Sequence, residues 1–175
     1  TNAAGNYHGC SFLSNTEIVY FDYDYSDPGF VTNRVISHDL ETDTRTILYE
    51  NQGVDLGGGE LEGLAFYWGK AGPGIGKIVA PAADKPTVGY SFAILDADNG
   101  DVLFNGFDHG WVWNAVRSAD WVDEHTVVVG AGSQRNYSYH MIDISVTGGA
   151  VVNEIELNED RFTELYGGNV STCAK

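Results

Sequence analysis

Positive charge is scarce in this chain. Nine Lys and Arg stand against 25 Asp and Glu, a formal net charge of −16, and the basic residues are scattered singly. Such a surface repels a phosphate backbone and an anionic bilayer, so neither nucleic acid nor membrane is an expected partner. Long apolar runs are also missing: none approaches the roughly 20 residues that span a hydrocarbon core. The first ten residues, TNAAGNYHGC, have neither a basic n-region nor an apolar h-region, so the expectation for an exported protein is that its signal has already been removed. Only two cysteines occur, Cys10 and Cys173. They form no Cys-x-x-Cys, and their terminal placement points to a single disulfide closing most of the chain, with two unrelated thiols as the alternative. A Gly-x-Ser-x-Gly elbow, a His-Glu-x-x-His helix and a P-loop lysine are all absent. AGPGIGK at 71–77 lacks the spacing and the following helix of a phosphate loop, and reads as a hairpin connection.

What is present is aromatic and strand-forming. The 175 residues, 43% hydrophobic and 13% aromatic, are enough for one domain with a continuous core. The stretch AILDADNGDVLFNG (93–106) reads as strand, Asp/Gly turn, strand, and it has looser echoes in VISHDLETDTRTILYE (35–50) and YHMIDISVTGGAVVNEIEL (139–157). A β-branched strand precedes each: TEIVYFDY, GKIVAPA and HTVVVGA. Another apolar segment with a turn precedes those. Three units of four short antiparallel strands follow, at about 7–52, 60–106 and 111–158, with a tail at 159–175. A period of that kind is the pattern of propeller blades. Only NEDRFTELYG in the tail has helical spacing.

The segments SADWVDEHTVVVGA and SHDLETDTRTILYE resemble the WD40-like repeats of TolB-type β-propellers, in which a Trp and an acidic turn precede the second strand. Here Trp121, Asp123 and Glu124 do so, and Asp39, Asp96 and Asp143 stand at the step into the turn before the fourth strand. The resemblance covers about residues 12–158 and implies an all-β fold. Three blades are fewer than the four to eight of a closed ring. The chain is then part of a longer propeller, or half of a ring completed by a second chain, with a β-sandwich as the alternative.

If the blades hold, strand alternation sends the loops at 22–33, 51–62, 81–89, 107–113 and 131–139 to one face and the tight turns ETDT and DADNGD to the other. The first face carries the candidate ligand residues Tyr23, Tyr25, His109, Trp111, Trp113, Arg135, Tyr137 and Tyr139. Aromatic rings stack on sugar C–H faces and polar groups pair with hydroxyls. Asp108, His109, Arg135 and Tyr137 are the candidates for acid–base chemistry, although adjacent strand residues point apart. Asp22, Asp24 and Asp27 resemble the start of a calcium loop, but Asn33 stands where a bidentate Glu belongs, and a solvated acidic loop is the alternative. Asn136 and Asn169 open glycosylation sequons. His38 and His140 read as repeated structural positions.

The expected function is a non-catalytic extracellular or periplasmic module that recognises carbohydrate or protein through its loop face, or assembles with itself. A carbohydrate-active enzyme, a polysaccharide lyase or glycoside hydrolase, and a structural subunit of a larger assembly are the alternatives. No cofactor is implied beyond calcium. The expected core is Ile18, Val19, Ile36, Ile47, Leu64, Phe66, Ile78, Val79, Ile94, Val102, Val127, Val129, Ile142 and Ile144.

Overall fold

The computed structural model describes residues 6–27, 30–54, 60–61, 63–72, 74–85, 89–133 and 136–157. They form three antiparallel sheets taken in chain order. Sheet one contains β1 (Asn6–Phe12), β2 (Glu17–Asp24), β3 (Phe30–Asp39) and β4 (Thr44–Val54), with the two-residue β5 (Glu60–Leu61) added along β4. In sheet two, β6 (Gly63–Phe66) and β7 (Lys70–Gly72) both pair with β8 (Lys77–Lys85), followed by β9 (Tyr90–Asp96) and the short β10 (Val102–Asn105). A 3-10 turn, Gly106–His109, leads to sheet three: β11 (Ala115–Trp121), β12 (Thr126–Gly132), β13 (Tyr137–Asp143) and β14 (Ala150–Leu157). The chain therefore makes four principal strands three times, and three stacked sheets replace the two of a sandwich. Among the described residues no helix is long and apolar enough to cross a membrane.

The repeated aspartate is a turn device. Asp39, Asp96 and Asp143 are the last residues of β3, β9 and β13. Oδ1 of Asp39 accepts from the backbone N–H of Glu41 at 2.8 Å and Thr42 at 3.1 Å, and Oδ1 of Asp96 from Asp98 at 2.8 Å and Asn99 at 3.3 Å. Asp143 does the same for Ser145 at 2.9 Å and also accepts from its hydroxyl. A short carboxylate that satisfies the N–H groups two and three residues on imitates a backbone turn and sends the chain back as the next strand.

The sheets pack face to face through two apolar seams. Val19, Phe21 and Val35 of sheet one meet Phe66, Ile78, Ala80, Ala93 and Leu95 of sheet two. Val79, Phe92 and Ile94, on the opposite face of sheet two, meet Ala119, Val127, Val129 and Ile142 of sheet three. Sheet two is thus buried on both faces, which explains the unbroken apolar run FAIL at 92–95. The innermost strands β1 and β11 both lie against β7. Ala71 N–H donates to Ser11 Oγ at 3.0 Å on one side, and Trp121 Nε1 donates to the Lys70 carbonyl at 3.1 Å on the other.

Nine of the fourteen expected core residues are buried: Val19, Ile36, Phe66, Ile78, Val79, Ile94, Val127, Val129 and Ile142. Ile18, Leu64 and Ile144 are half-buried. Ile47 and Val102 correct the expectation, being 55% and 40% exposed. Ile47 stands opposite Ile36 in register, on the face of β4 turned away from sheet two, and Val102 opens β10, the short edge strand of sheet two.

Candidate functional site

The end of the sheets that carries the β2–β3 and β8–β9 connections also carries a ribbon of four tyrosines. Tyr23 is near the end of β2, Tyr25 follows that strand, Tyr67 follows β6, and Tyr90 opens β9. Their rings run in order: Tyr25 stacks on Tyr23 at 6.3 Å between centroids, Tyr23 on Tyr67 at 5.6 Å, and Tyr67 leans on Tyr90 at 6.1 Å. Tyr23 is buried with Val31 and Ala65 and forms the floor, while Tyr25, Tyr67 and Tyr90 expose 52%, 38% and 37% of their surface. Burial, and then the neighbouring phenols, push the Tyr23 hydroxyl far above its ordinary value; burial also raises that of Tyr67. The Tyr23 and Tyr67 phenols stay neutral, able to donate and accept at any physiological pH. The ribbon bridges the seam between sheets one and two.

Trp113 extends this edge through the backbone, exchanging two 2.8 Å hydrogen bonds with Tyr90, and its ring lies against Phe92, Trp111 and His140. Trp111 is held in packing: its Nε1 donates to the Gly148 carbonyl at 2.8 Å. His109 is exposed but stacks on Phe104 at 5.0 Å beside Gly148. Because β10 stops opposite Ala93, half-way along β9, the chain turns back early. His109 and Trp111 therefore fill the outer wedge between sheets two and three, against the β13–β14 turn, and are not gathered with the tyrosines. Asp108 and His109 share one 3-10 turn, whose Asn105 cap accepts from Phe107 N–H and whose Gly110 ends it at φ 79°.

The three aspartates of the first acidic loop part company. Arg34, on β3, draws in two of them: its Nη1 lies 3.1 Å from Asp24 Oδ2 and 3.6 Å from Asp22 Oδ2, while its Nε donates to Glu50 at 2.6 Å. Bonds from Ser26, then Arg34, hold the Asp24 carboxyl down at about 2, whereas burial raises that of Asp22 despite the guanidinium. Asp27 is exposed in the loop beyond. Among the described residues no three His, Cys, Asp or Glu side chains gather as metal ligands would. Asn33 has a different task. Fully buried, it donates from Nδ2 to the Phe66 carbonyl at 2.9 Å and accepts from Phe66 N–H at 2.8 Å, pairing both backbone groups where the inner strand of sheet two breaks.

Tyr137 and Tyr139 alternate with His140, and so face away from sheet two on the far flank of sheet three. There the Arg117 guanidinium lies 5.0 Å over the Tyr137 ring, and Arg117 Nε donates to its hydroxyl at 2.5 Å. The histidines are not equivalent either. Asp39 and Asp143 correspond, so His38 matches Ile142; His38 faces away from sheet two and bonds Asp43 at 2.8 Å, whereas His140 points into the seam. Arg135, Asn169 and Cys173 lie outside the described residues; Asn136 is exposed beside β13, and Cys10 is half-buried on β1.

Sequence reading reached Tyr23 and Tyr25 but missed Tyr67 and Tyr90. Their one visible signal was an aromatic at a strand end, which many edge residues share.

No family model and no curated protein matches the chain. A solved structure does: the β-propeller domain of the Trilobed protease from Pyrococcus furiosus, described as having an open velcro topology. It is similar with a TM-score of 0.59 at 13% identity, over 91% of this chain and 45% of that one. The chain spans less than half the length of that relative, and at this identity the likeness concerns fold alone. The three sheets are propeller blades, and the chain folds as part of a β-propeller.

Proposed function

We propose that the chain is a non-catalytic binding module, acting outside the cytoplasm, that lays carbohydrate along the ribbon Tyr25, Tyr67 and Tyr90. The observation that carries this reading is the ribbon itself: three partly exposed rings about 6 Å from their neighbours, seated on a buried fourth. Phenol hydroxyls beside apolar ring faces suit a ligand with alternating C–H and hydroxyl surfaces. The acidic surface favours neutral or cationic glycans over anionic ones.

Calorimetric titration with neutral and acidic polysaccharides tests it, together with product analysis. Binding of a neutral glycan that weakens by about 1–3 kcal/mol in Tyr67→Ala or Tyr90→Ala, and not in Tyr137→Ala, is the expected result. New reducing ends or unsaturated products would instead identify an enzyme. Equal binding by wild type and both ribbon variants would remove the ribbon from consideration.

A further inference from the structure

Three tyrosine–tyrosine ring contacts occur among the described residues, and all three belong to the ribbon. They differ in geometry and in access. Tyr25 on Tyr23 and Tyr23 on Tyr67 are stacked, with 20° and 21° between ring planes, and Tyr23, common to both, is only 7% exposed. Tyr67 and Tyr90 are both open to solvent, and their planes are tilted by 52° with centroids 6.1 Å apart.

The backbone holds this last pair in place from below. β8 runs between β6 and β9, and in register Ala65 stands opposite Ala83 and Ala83 opposite Tyr90. An alanine leaves room above the sheet, so Tyr90 on one side and Tyr67, two residues beyond Ala65, on the other lean toward each other over the middle strand. Asn33 pins Phe66, the residue before Tyr67, through both its backbone groups, and Trp113 pins Tyr90 through two 2.8 Å bonds. Fixed backbones under half-exposed side chains leave χ1 and χ2 as the free movements, and small rotations there bring the ring edges together.

We propose that Tyr67 and Tyr90 form an oxidative cross-linking site, at which a peroxidase supplied with hydrogen peroxide joins the two rings through a carbon–carbon bond. Each phenol gives up one electron and its hydroxyl proton. The two phenoxyl radicals combine at the ring carbons beside their oxygens, and the hydrogen on each of those carbons passes to its oxygen and restores the phenol. The two electrons and two protons reduce one peroxide, whose O–O bond breaks, to two waters. The tilt favours this pair: two rings bonded at crowded carbons stand twisted about the bond, whereas parallel stacked rings present faces and not edges. Proximity favours it over coupling between molecules, because a ring held in the same sheet is present at an effective concentration of about millimolar or above, and dissolved protein is far more dilute. The product ties the β6–β7 connection to β9 across β8 by a bond that no thiol reduces. It is independent of the carbohydrate reading, since it rests on ring geometry alone.

Treatment of the full chain with a peroxidase and dilute hydrogen peroxide is the test, read by dityrosine fluorescence of the monomer fraction and by peptide mapping. A Tyr67–Tyr90 link within one chain is expected. Tyr67→Phe and Tyr90→Phe, which keep the ring packing, should each lower the fluorescence several-fold, while Tyr137→Phe leaves it unchanged. In urea the same treatment should scatter the links among other tyrosines, which separates folded geometry from intrinsic reactivity. A dominant Tyr23–Tyr25 link, links only between chains, an undiminished yield in Tyr67→Phe, an undiminished Tyr67–Tyr90 preference in urea, or hydroxylated rings without dityrosine each overturns the proposal.

Discussion

Gly100 and Gly110 have the same backbone, φ 79° at each, and different surroundings. A Cβ on Gly100, in the turn after β9, would run into the Leu48 carbonyl of blade one, whereas one on Gly110 meets nothing within 4 Å. Gly110→Ala should therefore cost only the left-handed penalty of about 1 kcal/mol, and Gly100→Ala clearly more because two blades must separate; urea denaturation of the pair measures the difference. Asn33 is a second residue whose role is positional. Asn33→Ala leaves the N–H and carbonyl of Phe66 unpaired in a dry seam, at about 1–3 kcal/mol for each group, and Asn33→Asp replaces the donor with another acceptor. Both should be destabilising in denaturant titration. His140 adds a pH signature. Burial against Trp113 lowers its folded value below the usual 6.5, while Glu154, 3.6 Å away, opposes the shift. The unfolded chain then binds the extra proton first, so this contribution is complete above pH 6.5 and declines as pH falls below it. Denaturant midpoints between pH 5 and 8 should flatten in His140→Asn.

At the scale of the element, the unit is strand, aspartate, turn, strand. The turns do more than reverse the chain: the one after β9 packs on β4 of blade one, and the one after β13 packs on Phe104 of β10 and on Trp111 beyond it. The last turns of blades two and three thus rest on the outer part of the blade before. Local bonds hold the carboxyl groups of Asp39 and Asp143 below the ordinary carboxylate value, so their contribution is present above about pH 4 and is lost as pH falls through the folded value. Asp143→Asn keeps the acceptor for Ser145 and should melt close to wild type at neutral pH, while Asp143→Ala should melt lower. Thermal melts repeated toward pH 2 should bring wild type and the alanine variant together.

The whole molecule depends on sheet two as the shared middle layer. Phe92, fully buried between blades two and three and stacked with Phe104 and Trp113, should cost about 3–5 kcal/mol when cut to Ala. Loss of one cooperative unfolding transition in favour of two would show the seams to be weaker than the blades. By itself the sequence determined the all-β class, the three repeated strand groups, the turn aspartates and most of the core, because strand period and turn chemistry are local and are written within a few residues of one another. Only the tertiary structure decided which aromatics meet. Tyr25 and Tyr90 are 65 positions apart in the chain, and their alignment depends on the stacking of two blades. His109 and Trp111 went to the wedge because β10 stops half-way along its partner, a consequence of pairing length that local pattern does not encode. Asp22 and Asp24 turned from a shared cation to Arg34 because register set that guanidinium beside them, and register is fixed by what both faces of a sheet must bury.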